Sequence, residues 1–548
     1  MKNYQLPILL TLANALAGTL HAEVKLPSVI ADHMVLQRDI VTPIWGTAEP
    51  GEEVSVSIAG QTKTSKTDAN GQWLVKLDPL AASAEPRDLR IGERVIKDVL
   101  VGEVWLASGQ SNMGFPLSSA HHAEQALAAA GDPLLRFFTV QNATAAEPQN
   151  DLRGRWDAST PDTAKSFSAV AYFFARDLRA KLGVPVAILH SSWGGTPAQA
   201  WVSMDALHES PPFENYAKSY DAALVKHRDV LSKPEMMTKY REDLAQWQKE
   251  VAPVFNEAMK AWNAGPKTTP KPVPASPEPA NPDPMDIPSP SSRPGTPSVI
   301  FNAKIAPLAG YAMRGALWYQ GEANASGGIE YRKLLPRLIG DWRKRWAQGD
   351  FPFLIVQLSS WDMDAKPAPQ HHWPVLREAQ AITAKSVPNC ALAVSIDVGD
   401  PKDVHPKGKE PVGQRLALAA RKLVYGEASL VASGPVFREA KADGASMRVR
   451  FDEIGSGLTI GQAPWRAVGD AQWPQDRLVG FVLAGEDGQW HDAEAKIEGD
   501  SVLVTSAAIA KPVAVRYAWA NSPRCNLYNR EGLPTVPFRS DDWPMPKK

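Results

Sequence analysis

The chain has 548 residues, 44 % hydrophobic and 22 % charged, and at roughly 100–200 residues per domain that length calls for about three folding units. Lys+Arg at 59 against Asp+Glu at 60 leaves a net charge of −1, which excludes the basic excess of a nucleic-acid binder and, with the hydrophobic content, a disordered chain. Trp at 18 outnumbers Phe at 15 and Tyr at 11, and indoles suit both cores and stacking against sugar rings.

Residues 1–22 read MKNYQLPILLTLANALAGTLHA. Lys2 is a short positive start, Leu6 to Leu16 an apolar stretch, and Ala22 a small residue before a cleavage point. This is the pattern of a signal peptide, too short for a membrane span, and predicts a secreted or periplasmic protein. No later stretch approaches a membrane span. Cys390 and Cys525 are the only cysteines. One bridge and two separate buried thiols both stay open. The pairs His121–His122 and His371–His372 lack a helical partner or a nearby Cys, so no metal site is expected.

Residues 23–97 show short apolar runs, Val54–Ile58 and Trp73–Leu77, parted by the turn signals Pro50-Gly51 and Asn70-Gly71. They predict a small β-sandwich. From Asp98 to position 428 the texture becomes α/β. Buried-strand runs are expected at 99–107 (VLVGEVWLA), 185–190 (PVAILH), 314–319 (RGALWY), 353–358 (FLIVQL) and 391–396 (ALAVSI). Helical spacing recurs at Phe167 to Leu178 before Gly183, at Tyr331 to Trp346 with Pro336 inside, and from Pro411 to Tyr425. Continuous apolar strands alternating with amphipathic helices predict a parallel sheet covered on both faces. Residues 205–297 interrupt this pattern as an insertion: polar and helical to 262, then about a dozen prolines across 265–297. Residues 429–548 return to β texture and predict a second β-sandwich-like unit.

Four polar loops each follow a predicted strand: 108–113 (SGQSNM), 191–196 (SSWGGT), 320–324 (QGEAN) and 397–405 (DVGDPKDVH). Ligands of an open parallel sheet bind outside the carboxyl ends of its strands. The chemistry on offer is acyl transfer. Ser111 beside Gly109 can expose its hydroxyl in a tight turn. His405 supplies a base titrating near neutrality. Asp403 or Asp400 can orient that ring. The backbone N–H groups of Ser111 and Gly195 and the amide of Asn324 are candidate oxyanion donors. A non-catalytic glycan-binding protein is the competing class, and the Ser111/His405 pair argues against it. No carboxylate pair is placed for glycosidase chemistry.

At these loops the chain resembles the sialate O-acetylesterase family, a branch of the SGNH hydrolases. The matching strings are VGEVWLASGQSNM, HSSWGGTPAQAW, RGALWYQGEAN and DVHPKGK, with KLPSVIADHMVLQ, LREAQ and YAWANSPRCNLYNREGLPTVPF flanking them. The resemblance spans nearly the whole mature chain except much of 205–297. It implies a three-layer SGNH-type hydrolase domain between N- and C-terminal β-sandwich-like domains, and a serine esterase needing no metal or cofactor. The implied substrate is an acetylated carbohydrate, by the family name an O-acetylated sialic acid, with acetylxylan or another plant glycan as the alternative. It implies Ser111 as nucleophile and His405 as base, with Gln110, Gln320 and Glu322 supporting the site. Two departures stand out. SGNH enzymes commonly carry Asp-x-x-His, whereas position 402 is Lys, so Asp403, Asp400 and a backbone carbonyl all stay open as the orienting group. The third loop reads Gln-Gly-Glu-Ala-Asn rather than Gly-x-Asn-Asp.

Overall fold

One strand, β1 (Arg94–Gly109), joins the amino-terminal strands to the central sheet. The computed structural model describes residues 24–209, 211–264, 269–285, 294–361, 372–462 and 473–545. The expected leader at 1–22, His371 and parts of the proline-rich stretch lie outside the described residues.

The carboxyl half of β1 is the middle of a sheet completed by β2 (Asp132–Val140), β3 (Gly154–Ser159), β4 (Val186–Ser192), β5 (Gly315–Tyr319), β6 (Phe353–Val356) and β7 (Cys390–Ala393), in the order β7-β6-β5-β1-β4-β2-β3. Every pairing is parallel except β2 with the edge strand β3. Side chains alternate across such a sheet, and here each face is apolar. Trp105, Ala107, Ile188 and Leu317 enter one core with helices α1 (Ala169–Leu182) and α4 (Lys409–Leu423). Leu106, Leu189, Ala316 and Trp318 enter another with α2 (Gly328–Trp346) and α3 (His372–Ser386). Burial on both faces is why these strands read as unbroken apolar runs.

The elements depart from the sequence reading in places. Phe167 precedes α1 rather than lying on it: the Ser168 side chain accepts from the Ala171 N–H at 3.1 Å and caps the helix there. At its other end Gly183, with φ of 69°, takes the left-handed cap. The strand expected over 391–396 stops at Ala393, because the Ser395 hydroxyl turns to the Gln357 carbonyl at 2.5 Å and the chain enters a 3-10 turn at Ile396–Val398. Pro336 is accommodated inside α2, which runs unbroken to Trp346.

The amino half of β1 pairs with strands Val35–Gln37 and Ser83–Ile91. Beside it the antiparallel pair Thr42–Thr47 and Gln72–Leu77 forms a separate two-stranded sheet. After α4 come two four-stranded antiparallel sheets that share a core of Val449, Val502, Leu483 and Tyr517. Helices Glu214–Leu231, Pro234–Glu250 and Ala252–Ala264 occupy the insertion. Proline-rich chain folds back on them: the Trp247 and Trp262 indoles donate to the Ser276 and Thr269 carbonyls at 2.9 Å each. Among the described residues no helix is long and apolar enough to cross a membrane.

Candidate active site

Three loops meet where β1, β4 and β5 end, beside the loop that leads into α4. Gly109 closes β1 with φ of +135°, and a Cβ there would sit 2.1 Å from the Tyr319 carbonyl oxygen, so only glycine allows β1 and β5 to run this close. The chain then makes one tight turn: Met113 and Gly114 N–H both donate to the Gln110 carbonyl, at 2.9 and 3.0 Å. Ser111 rides on that turn, with its hydroxyl 2.8 Å from His405 Nε2. The two residues come from positions 294 apart in sequence.

Both line a cleft of about 620 Å³ whose walls include Trp193, Gly194, Ser192 and Asp403. Gly194 lies against the serine; a Cβ on it would be 3.3 Å from Ser111 Cβ. Gly195, next along, takes a left-handed φ of 72° that turns the loop away. The Trp193 N–H donates to the Gly109 carbonyl at 3.0 Å, which holds the β4 loop to the β1 loop.

The acid side of the base is less direct. Asp403 Oδ1 accepts the backbone N–H of His405 at 2.8 Å, while the carboxylate stands 3.7 Å from His405 Nδ1, longer than a hydrogen bond. Asp400 instead caps the turn, accepting from the Lys402 N–H at 2.9 Å. The loop is anchored at its start, where buried Asp397 accepts two bonds of 2.6 Å from Arg415 and one from the Tyr528 hydroxyl at 3.0 Å.

The remaining expected residues link the loops around the cleft. Gln110 Oε1 accepts from Ala323 N–H at 3.2 Å. Gln320, wholly buried, donates to the Thr196 carbonyl at 3.2 Å and to Asn324 Oδ1 at 2.7 Å, and accepts from the Tyr331 hydroxyl at 2.8 Å. Asn324 Oδ1 also accepts from Ala198 N–H at 2.8 Å, and its Nδ2 donates to Gln199 Oε1 at 3.1 Å. Gln320 and Asn324 thereby lash the β5 loop to the β4 loop.

Two residues that carry much of the order were not singled out from sequence. Asn112 Nδ2 donates to Glu322 Oε1 at 2.5 Å and to the Val404 carbonyl at 2.9 Å, and its Oδ1 accepts from Lys409 Nζ at 2.5 Å. Burial pushes the Lys409 ammonium down to about 7, against the opposing pull of Glu322 and Asp403. Burial pushes Glu322 up from the usual carboxylate range, and its Oε2 has no protein partner. Both shifts have one cause: a charged group shut away from water. The signal was present in the strings SNM and HPKGK, but nothing in their spacing says that the lysine turns inward.

Residues 298–422 match the model of the family described as "Carbohydrate esterase, sialic acid-specific acetylesterase". The sialate O-acetylesterase of Mus musculus is 28 % identical over 93 % of this chain and 93 % of its own length, and that of Homo sapiens 29 % over 93 % and 91 %. A solved structure, a carbohydrate acetylesterase from Xanthomonas citri, superposes with a TM-score of 0.74 at 35 % identity, covering 95 % of this chain and all of that one. The fold and its relatives define a carboxylic ester hydrolase acting on O-acetyl esters of carbohydrates. The chain belongs to the sialate O-acetylesterase family of carbohydrate esterases.

Proposed function

We propose that the protein is a secreted carbohydrate O-acetylesterase in which Ser111 is the nucleophile and His405 the general base, on a domain of the SGNH type. The observation that carries this reading is the 2.8 Å contact between Ser111 Oγ and His405 Nε2 in a cleft at the carboxyl ends of the central strands. Nε2 takes the hydroxyl proton as Oγ adds to the acetyl carbonyl. The oxyanion draws on the main-chain N–H groups of Ser111 and Gly195, with Asn324 offering the Nδ2 hydrogen not given to Gln199. Collapse returns the proton to the departing sugar oxygen, leaving an acetyl-serine. Water, activated by the same imidazole, releases acetate. Asp403 balances the imidazolium charge from 3.7 Å and fixes the His405 main chain.

The relatives' names support O-acetylated sialic acid as the substrate, and acetylxylan or another plant glycan is the alternative. The leader-like residues 1–22 support export, with the mature chain starting at Glu23; the amino-terminal sequence of the exported protein checks this.

The test is acetate release from 4-nitrophenyl acetate, acetylated sialic acid and acetylated xylo-oligosaccharide, with Ser111→Ala alongside. A fall of about 10³ or more in the variant is the expected result. Folded wild-type protein that releases nothing, or an unimpaired variant, sinks the mechanism and favours a glycan-binding role. Preference for the xylo-oligosaccharide sinks the sialic acid reading alone.

A further inference from the structure

The wall of the cleft across from His405 has polar groups that the mechanism does not use. Lys304, on a π-helical turn at Phe301–Ile305, is wholly buried and donates to Asn142 Oδ1 at 2.5 Å and to the Ser192 carbonyl at 2.9 Å. Such turns recur at functional sites. As an ammonium, which has no lone pair, the lysine allows one orientation of the Asn142 amide: Oδ1 faces Nζ, so the NH₂ faces away from it. That NH₂ has no protein partner among the described residues, and Asn142 lines the cleft. Burial pushes Lys304 down to about 7, but either protonation state leaves Nζ with hydrogens for both acceptors.

A parallel argument fixes Ser192. Its hydroxyl lies 2.8 Å from His190 Nε2, and His190 Nδ1 is buried with no protein partner. Burial pushes His190 down to about 3, so the ring is neutral and carries one N–H. An orphaned buried N–H costs more than an orphaned lone pair. The proton therefore sits on Nε2 and is donated to Ser192 Oγ, which leaves the serine's own proton free to turn into the cleft. Trp193, buried with Lys304 5.5 Å from its ring centroid, packs behind the same wall.

Two donors aimed into one cleft are an ordinary means of gripping a pyranose through its hydroxyl or ring oxygens. We propose that Asn142 and Ser192 form the subsite that holds the sugar bearing the acetyl group, with Lys304 and His190 as positioning residues beneath it. The proposal rests on the reading of Ser111 as nucleophile, because it places the sugar beside that hydroxyl.

The experiment compares kcat/KM for an acetylated xylo-oligosaccharide or acetylated sialic acid, whichever the wild type prefers, with kcat/KM for 4-nitrophenyl acetate, which has no sugar. In Asn142→Ala and Ser192→Ala the ratio of the two is expected to fall tenfold or more, carried mainly by a raised KM for the sugar. Lys304→Met, which releases the Asn142 amide, lowers the same ratio. An unchanged ratio in both alanine variants overturns the subsite, including the case where both substrates suffer equally. Asn142 is exposed, so its variant stays informative if a change at a buried position impairs folding. Ser111→Ala separates the two claims: if it keeps wild-type activity, the nucleophile reading has failed, whatever the ratios show.

Discussion

Lys409 Nζ lies 2.5 Å from Asn112 Oδ1, and that contact decides which way the Asn112 amide faces. Its NH₂ must then point at Glu322 and at the carbonyl of Val404. Asn112 follows Ser111, and Val404 precedes His405. One side chain therefore ties the residue after Ser111, the proposed nucleophile, to the residue before His405, the proposed base, where misplacement by an ångström can cost about 10²-fold in rate.

Asn112→Ala is expected to lower kcat by about 10- to 100-fold with KM changed less than about threefold. Its loss leaves Lys409 and the Val404 carbonyl without this partner, at a cost of about 1–3 kcal/mol in urea unfolding. Asn112→Asp keeps the acceptor for Lys409 but loses the donor to Val404 and sets a second carboxylate beside Glu322, so it should not restore kcat. Recovery of wild-type kcat by Asp would show that donation to Val404 is unimportant.

Asp403→Asn should cost little by the standard of an acid hydrogen-bonded to its histidine. The Asn side-chain oxygen can still accept the His405 N–H, and the 3.7 Å gap to Nδ1 means that no ring hydrogen bond to Asp403 Oδ1 is lost. A fall in kcat of about tenfold is expected, against about 10⁴ where the acid bonds the ring directly. A measured loss near 10⁴ would mean that the carboxylate closes on Nδ1 during turnover.

His190 makes the protein acid-sensitive in a definite window. Its buried ring resists protonation until about pH 3, whereas in the unfolded chain it titrates near 6.5. Below about pH 6.5 the unfolded state binds a proton that the folded state refuses. Its contribution is therefore complete above 6.5 and lost as pH falls toward 3, with a slope approaching about 1.4 kcal/mol per pH unit. Urea unfolding between pH 4 and 7 should show a shallower slope for His190→Gln than for wild type; equal slopes would count against the neutral ring.

Neither Cys390 nor Cys525 is in a disulfide; Cys525 is buried and Cys390 partly so. Burial pushes the Cys390 thiol up to about 11. Unfolded protein never exposed to reductant should therefore react with two equivalents of a thiol reagent, and native protein at pH 8 should react slowly at Cys390. Fewer than two equivalents after unfolding would reveal a bridge.

What could be read from sequence followed local pattern. The strands ending at Gly109, Ser192 and Tyr319 were visible because burial on both faces makes them continuously apolar. The four loops were visible because glycines and polar residues follow those strands at once. β2 and β3 went unseen: β3, GRWDAS, lies at the sheet edge with little apolar signal of its own. Asn112, Lys409, Lys304 and His190 were also missed as site components. Their roles come from which way a side chain turns after distant segments pack, and a buried lysine has the same letter as a solvated one. Asp403, open together with Asp400 and a backbone carbonyl as the orienting group, accepts the His405 main-chain N–H and stands 3.7 Å from Nδ1, a difference that no spacing in the sequence shows.

β1 spans 16 residues, about 50 Å of extended chain, and delivers Ser111 at one end while its other end is paired to the amino-terminal strands. Midway along it, buried Glu103 is clamped by Arg38 at 2.5 Å and Arg314 at 2.7 Å. The first hundred residues therefore do not behave as a detachable tag. A fragment begun at Asp98 would lose Arg38, strip neighbours from the strand that presents the serine, and leave a raw hydrogen-bonding edge open to other chains. In this architecture the far end of the molecule serves as the abutment of Ser111, and anyone trimming the enzyme to a minimal esterase has to begin upstream of Val35.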